Sequence, residues 1–241
     1  MAAALWEVAA RSSWLSAALF PAPAAILTAL WRAGSSGELL SCLLPTAVRV
    51  AAGFVLGAAG GLAVGTACGL SPAADAVLDP WINATYPLPK VALIPMFMFL
   101  LGVNERLSLA VVALSAAYPV AVAARMGVRR TDDSLVDAAV NLGAGPFDVA
   151  REVVLPSMLP FLLVGFRLGA LKAVQASIVA EMLLSFPGLG RMAWISGEWL
   201  RMETYYAYLL VIGAAGWFMV WLLRVSAKKF VPWAEHEDLQ A

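Results

Sequence analysis

The chain has 241 residues, 62% of them hydrophobic and only 13% charged, and its 16 Lys and Arg balance its 16 Asp and Glu. Soluble domains carry about 45–50% apolar and roughly a quarter charged residues, so a water-soluble globular fold is excluded. Zero net charge without a basic tract excludes a nucleic-acid partner.

The apolar residues gather in runs of about 18 or more, the length at which a helix crosses about 30 Å of hydrocarbon. Nothing shows the ten-residue alternation of a membrane barrel. The expected fold is all-α and polytopic: a single transmembrane domain over 1–241 with its core at 46–224. It should hold five transmembrane helices and a short or truncated N-terminal first helix.

The opening "MAAALWEVAARSSWLSAALFP" is broken by Glu7 and Arg11, so it reads either as the end of a membrane helix or as an interfacial helix on the headgroups. Without a basic start it is a poor signal peptide. Residues 46–70 form the first clear span, with Gly53, Gly57, Gly61, Gly65 and Gly69 at every fourth position. Such a stripe lets another backbone approach closely, either inside one subunit or at a seam between two. The span at 78–102 is interrupted by Pro87, Pro89 and Pro95, each of which removes a backbone donor. Freed carbonyls at membrane depth must face protein or a wet cavity, so this segment either lines a pathway or packs as a kink. Further spans are expected at 107–126, 159–184 and 204–224.

Between the third and fourth spans lies a polar stretch, 127–158. Thr131, Asp132, Asp133 and Ser134 offer N-cap side chains ahead of "LVDAAVNL", and Gly143 fits a left-handed stop. Pro146 opens a second short helix with Asp148 in its first turn, and Leu155-Pro156 is expected to end it. The result is two short helices around a glycine elbow, with Ala138 and Ala139 keeping one flank slim. Arg125, Arg129, Arg130 and Arg151 here, and Arg224, Lys228 and Lys229 near the C-terminus, place both regions in the cytoplasm by the positive-inside rule.

Asp137-Ala138-Ala139, Gly143, then Val153, Leu155 and Pro156 resemble the "EAA" loop of ABC-importer permeases, with Asp137 for the usual Glu and Val153 for Ile. "FPAPAAILTALW" at 20–31, "PLPKVALIPMFMFLLGVNE" at 87–105 and "AEMLLSFPGLG" at 180–190 are similar to the nitrate/sulfonate/taurine branch. The resemblance covers roughly 20–233. It implies a plasma-membrane (inner-membrane) permease subunit that forms the pathway for a small solute, such as a sulfonate, nitrate or related anion. It further implies a second permease subunit (a homodimer is expected), a dimer of cytoplasmic ABC ATPases and an extracytoplasmic solute-binding protein. ATP and Mg then belong to the ATPase, and the seven loop residues couple to it.

The chain itself offers no phosphate loop, no catalytic constellation and no metal-ligand spacing. Cys42 and Cys68 read as two small buried residues. A secondary transporter would place several ionisable residues at mid-membrane with inverted repeats, and no repeat is evident; a membrane scaffold would not require the loop spacing. Within 159–184, Arg167 and Glu181 are expected to reach the two interfaces. Lys172 falls mid-span with Gln175 on its face. With Lys90 it either lines the pathway or is buried structurally or between subunits.

Overall fold

The computed structural model describes residues 2–12, 16 and 19–230, and among these every regular element is helical. Two short helices come first, α1 (Ala2–Arg11) and α2 (Pro23–Ser35), the latter opening on Pro23 in its first turn. Neither is long enough alone to cross a bilayer. The tail from 231, with His236, lies outside the described residues.

The first long helix, α3 (Glu38–Leu70), begins two turns ahead of the expected start at 46. Pro45 does not break it, and Cys42, upstream of that proline, belongs to a buried cluster with Leu189, Ala193 and Tyr208. Both cysteines are free and buried.

The expected span at 78–102 is not one helix. It consists of α4 (Pro72–Thr85), a 3-10 turn at Lys90–Leu93 and α5 (Ile94–Leu101), with the two arms bent by 95°. Pro87 and Pro89 stand in the gap, where two missing amide donors in three residues leave no way to continue the hydrogen-bond ladder. The third expected span is α6 (Glu105–Arg129), capped by the Asn104 side chain, which accepts from the amides of Arg106 and Leu107. After it come α7 (Asp133–Asn141) and α8 (Pro146–Val149).

Leu155-Pro156 does not end the helix that starts at Pro146, contrary to the expectation from proline. The chain passes from α8 through a π turn at Ala150–Val154 into α9 (Leu155–Leu184), one helical run of 39 residues. Pro156 lies in the first turn of α9, and the widened turn just ahead of it accommodates a ring and a missing donor that a regular α turn would not. The Ser157 hydroxyl donates to the Val153 carbonyl at 2.7 Å. The fold closes with α10 (Leu189–Glu198) and α11 (Met202–Phe230). Among the described residues four helical runs are thus long and apolar enough to span a membrane, or five if the bent α4/α5 pair is counted as one span.

The centre of the bundle is α6, held between α3 and α9. Its Leu107, Val111, Val112, Ala116, Val120 and Ala124 are inaccessible to solvent. The glycine stripe of α3 faces α6 of the same chain: a Cβ at Gly57, Gly61 or Gly65 would overlap the carbonyls of Ala113, Ala117 and Ala121, and one at Gly53 or Gly69 would overlap Val112 or Val128. On the other side Gly165 and Gly169 of α9 meet Ala123, Pro119 and Ala116. Small residues on both helices bring the backbones together where lipid offers no hydrophobic drive, leaving dispersion contacts as the cohesive force. The exposed apolar side chains, among them Trp31, Val55, Phe99 and Trp217, stand on the outside of the bundle, as a hydrocarbon solvent requires.

Candidate functional site

Three places in the bundle concentrate polar chemistry. The first is the elbow at one end. Asp132 caps α7 by accepting from the Ser134 amide at 2.9 Å. At the far end Gly143 has φ +90°, its amide bonds to the Val140 carbonyl at 2.9 Å, and the Ala144 amide reaches back to Ala139 at 3.0 Å. This pair of bonds is a Schellman stop, and its left-handed residue carries a steric penalty for anything but glycine. Asp148 then accepts from the Gly145 amide at 3.1 Å, fixing the start of α8.

No residue of α7 is buried. Asp137 and Ala138 are exposed and Ala139 is half-exposed. Leu142 and Phe147, on either side of the glycines, are 89% and 74% exposed. Sequence reasoning did not single out these two, although a large apolar residue beside a polar elbow is the available signal. Val153 and Pro156 are half-buried and Leu155 is exposed, all three on the π turn or the first turn of α9. The seven residues of the loop pattern therefore lie along one continuous feature, from α7 through the elbow to the root of a membrane helix. Close by, Arg125 pairs with Asp75 at 2.7 Å and with Asp79, and Arg129 pairs with Asp75 at 2.5 Å, tying the start of α4 to the end of α6.

The second place is a cavity of about 630 Å³ where the α4/α5 break meets the middles of α6 and α9. Lys90, Lys172 and Gln175 line it together, with Tyr86, Tyr118 and Ser115. Lys90 Nζ donates to the carbonyls of Thr85 at 2.9 Å and Tyr86 at 2.6 Å, and lies 4.0 Å from the ring centre of Tyr118 and 5.4 Å from that of Tyr86. The Tyr118 hydroxyl shares a 2.5 Å hydrogen bond with Thr85.

The third place was not foreseen. Glu181 was expected at an interface; instead its side chain is wholly buried near the end of α9. It accepts from Arg49 at 2.5 Å, from the Ser177 hydroxyl at 3.1 Å and from the Gly190 amide at 2.8 Å. The reason is the chain that follows: the 185–190 loop folds back over α9 and covers the carboxylate with its own amide. Arg49 also holds the Glu105 carboxylate at 2.9 and 3.0 Å and sits over the Phe186 ring, while Thr46 accepts from the Leu189 amide at 3.0 Å. A Cβ at Gly188 would collide with the Glu181 carboxylate, and one at Gly190 with the Ile178 carbonyl. Glycine at both positions therefore lets the loop close over the carboxylate.

Among the described residues no cluster has the composition of a metal site. The bundle thus holds a cavity of about 630 Å³ among its helices and an exposed elbow at one end.

Comparison with known proteins agrees. Residues 43–235 match the family described as the inner membrane component of binding-protein-dependent transport systems. The chain is 30% identical to the taurine transport system permease protein TauC of Escherichia coli, over 98% of this chain and 87% of that one. It is 29% identical to the putative aliphatic sulfonates transport permease protein SsuC of Bacillus subtilis, over 95% and 83%. Its fold superposes on a chain of the MetNI methionine ABC transporter with a TM-score of 0.66 at 18% identity, covering 81% of this chain and 95% of that one. The chain belongs to the inner-membrane permease components of binding-protein-dependent ABC importers, in which a separate subunit hydrolyses ATP.

Proposed function

We propose that this permease imports a small anion, that it works as a pair of identical subunits, and that the elbow at 132–156 faces the cytoplasm and seats the ATPase. The observation that carries the coupling role is the mechanical continuity of α8, the π turn and α9. A surface that grips Asp137, Ala138, Leu142 and Phe147 holds a helix that runs without a break into the membrane core. A short helix with no buried residue has little reason to be ordered by itself; a partner groove supplies the missing contacts. Closing two ATPases on ATP would then bias the bundle between two arrangements.

The anion reading is supported by the cavity lining, which has two lysines and no carboxylate among the described residues. It is also supported by the relatives, whose names specify taurine and aliphatic sulfonates. The cytoplasmic placement is supported by the arginines of 125–151.

The test uses Asp137→Lys and Phe147→Asp in the assembled importer. Each variant should reach the membrane in normal amount, lose the co-purifying ATPase and cut ATP-dependent uptake by roughly tenfold or more, as a reversed or newly placed charge at a contact surface does. Wild-type uptake and ATPase recovery in both variants would show that the motor docks elsewhere.

A further inference from the structure

The two lysines of the cavity are not equivalent. The ammonium of Lys90 is already engaged: it donates to the carbonyls of Thr85 and Tyr86 at the C-terminal end of α4 and rests on two tyrosine faces. A cation there completes a helix end at which the Thr85 carbonyl faces Pro89 in place of a next-turn amide and accepts from the Leu88 amide at 3.1 Å, and it meets the negative end of the helix dipole. Its charge is spent on holding the break. Lys172, by contrast, has no hydrogen-bond or ion-pair partner among the described residues, and neither does Gln175 one turn on; both side chains are exposed in the middle of a helix long and apolar enough to cross the membrane. An ammonium at that depth needs a counter-charge or water, and the lining provides no carboxylate.

We propose that Lys172 and Gln175 form the solute-contacting pair of the pathway, taking the negative head of an organic monoanion, and that Lys90 is a positioning residue withdrawn from the solute. This deepens the anion-importer reading and rests on it. The rest of the lining sets the body of the solute. Pro87, Leu88, Val91, Ala176 and Val179 are apolar. The lining offers no carboxylate to receive a substrate ammonium, and the tyrosine faces and the carbonyls of Thr85 and Tyr86 already hold the like-charged Lys90. The cavity thus fits an anion with an apolar tail and disfavours one that also carries an amine.

The experiment measures binding of propane-1-sulfonate and of taurine, which replaces the terminal methyl by an ammonium at the same length. It uses the full chain with its ATPase in lipid nanodiscs, without the binding protein. Wild type should bind propane-1-sulfonate at least about tenfold more tightly than taurine, and Lys172→Met should lose at least about tenfold in propane-1-sulfonate affinity, the scale of one charged hydrogen bond. Lys172→Arg should retain most of it. Lys90→Met should cost less affinity than Lys172→Met while lowering the thermal unfolding temperature, which Lys172→Met leaves in place. Equal binding of the two sulfonates, a larger affinity loss from Lys90→Met, or no measurable binding of either probe by wild type would overturn the assignment. ATPase recovery with wild type is read in the same preparation: its absence sinks the docking reading, whereas the sulfonate affinities bear on the cation alone.

Discussion

Arg49 and Glu181 are 132 residues apart in sequence and 2.5 Å apart in the structure, with their side chains 3% and 0% exposed. The pair joins α3 to α9 and the 185–190 loop. Removing one partner of a buried pair strands a charge and costs roughly 3–5 kcal/mol, whereas removing both can cost far less. Arg49→Met and Glu181→Gln should each lower the thermal midpoint of the purified protein strongly, and the double variant should recover part of the loss. A double variant no better than the sum of the singles would show that the two side chains do not act as a unit.

The glycine stripe gives a position-specific expectation. Gly57→Val pushes a side chain into the Ala113 carbonyl and Ala116 and should destabilise by about 1–3 kcal/mol. Gly60 has nothing within 4 Å of a built Cβ, so Gly60→Ala should be neutral or slightly stabilising through helix propensity. Thermal unfolding in detergent separates the two, and equal effects at both positions would remove the close-approach argument.

Gly143→Val tests the elbow from the backbone side. A β-branched residue at φ +90° faces a penalty of about 1–2 kcal/mol, with open space around it. The bundle should therefore keep its thermal stability while the α7–α8 angle changes and ATPase recovery falls. Loss of membrane insertion instead would mean that the elbow is needed for folding.

Asp132 lies outside the membrane-spanning helices, and the hydroxyl and amide of Ser134 hold its carboxyl below the ordinary aspartate value of 3.8. A depressed folded-state value stabilises the capped helix above that ordinary value, and the contribution is lost as pH falls through the lower one. Amide exchange across 133–141 should be insensitive to pH-driven fraying near neutrality and show extra opening only in strongly acidic buffer. Asp132→Ala should show that opening at neutral pH. Identical exchange in the two proteins would mean that the cap does not hold α7.

The proposed orientation is checked by labelling. In a background lacking Cys42 and Cys68, Asp148→Cys should resist an impermeant thiol reagent in intact cells, and Glu198→Cys should react. The reverse pattern would turn the bundle over.

Local rules made the elbow legible. An Asx cap at 132, a glycine stop at 143 and a first-turn proline at 146 act over three or four residues, and each stands where those rules put it. Lys172 and Gln175 shared a face by helical spacing alone, and the broken segment drew attention to Lys90. What could not be read was long-range. Nothing near Glu181 announces a partner on α3, so its place close to the end of an apolar run suggested an interface. Arg125 and Arg129 looked like loop charges because their aspartates, 75 and 79, sit across the bundle. Pro156 misled for the opposite reason: the breaker rule is local, and the π turn that relieves it is not encoded by any residue type.

That π turn also absorbs one residue while leaving the phase of the helix after it nearly unchanged. A π turn holds one more residue than an α turn, and each residue of helix advances side chains by about 100°. Deleting one residue from 150–154 would restore regular winding and leave the elbow and the bundle each intact. Because the π turn fits its extra residue into about one revolution, the elbow would keep nearly the same orientation relative to Lys172, Gln175 and Glu181, which all ride on α9. Deleting one residue from the regular turns of α9 ahead of Lys172 would instead swing the elbow by about 100°. The π turn is thus the place where this helix tolerates a one-residue change in length without turning the surface that is pushed away from the face that responds.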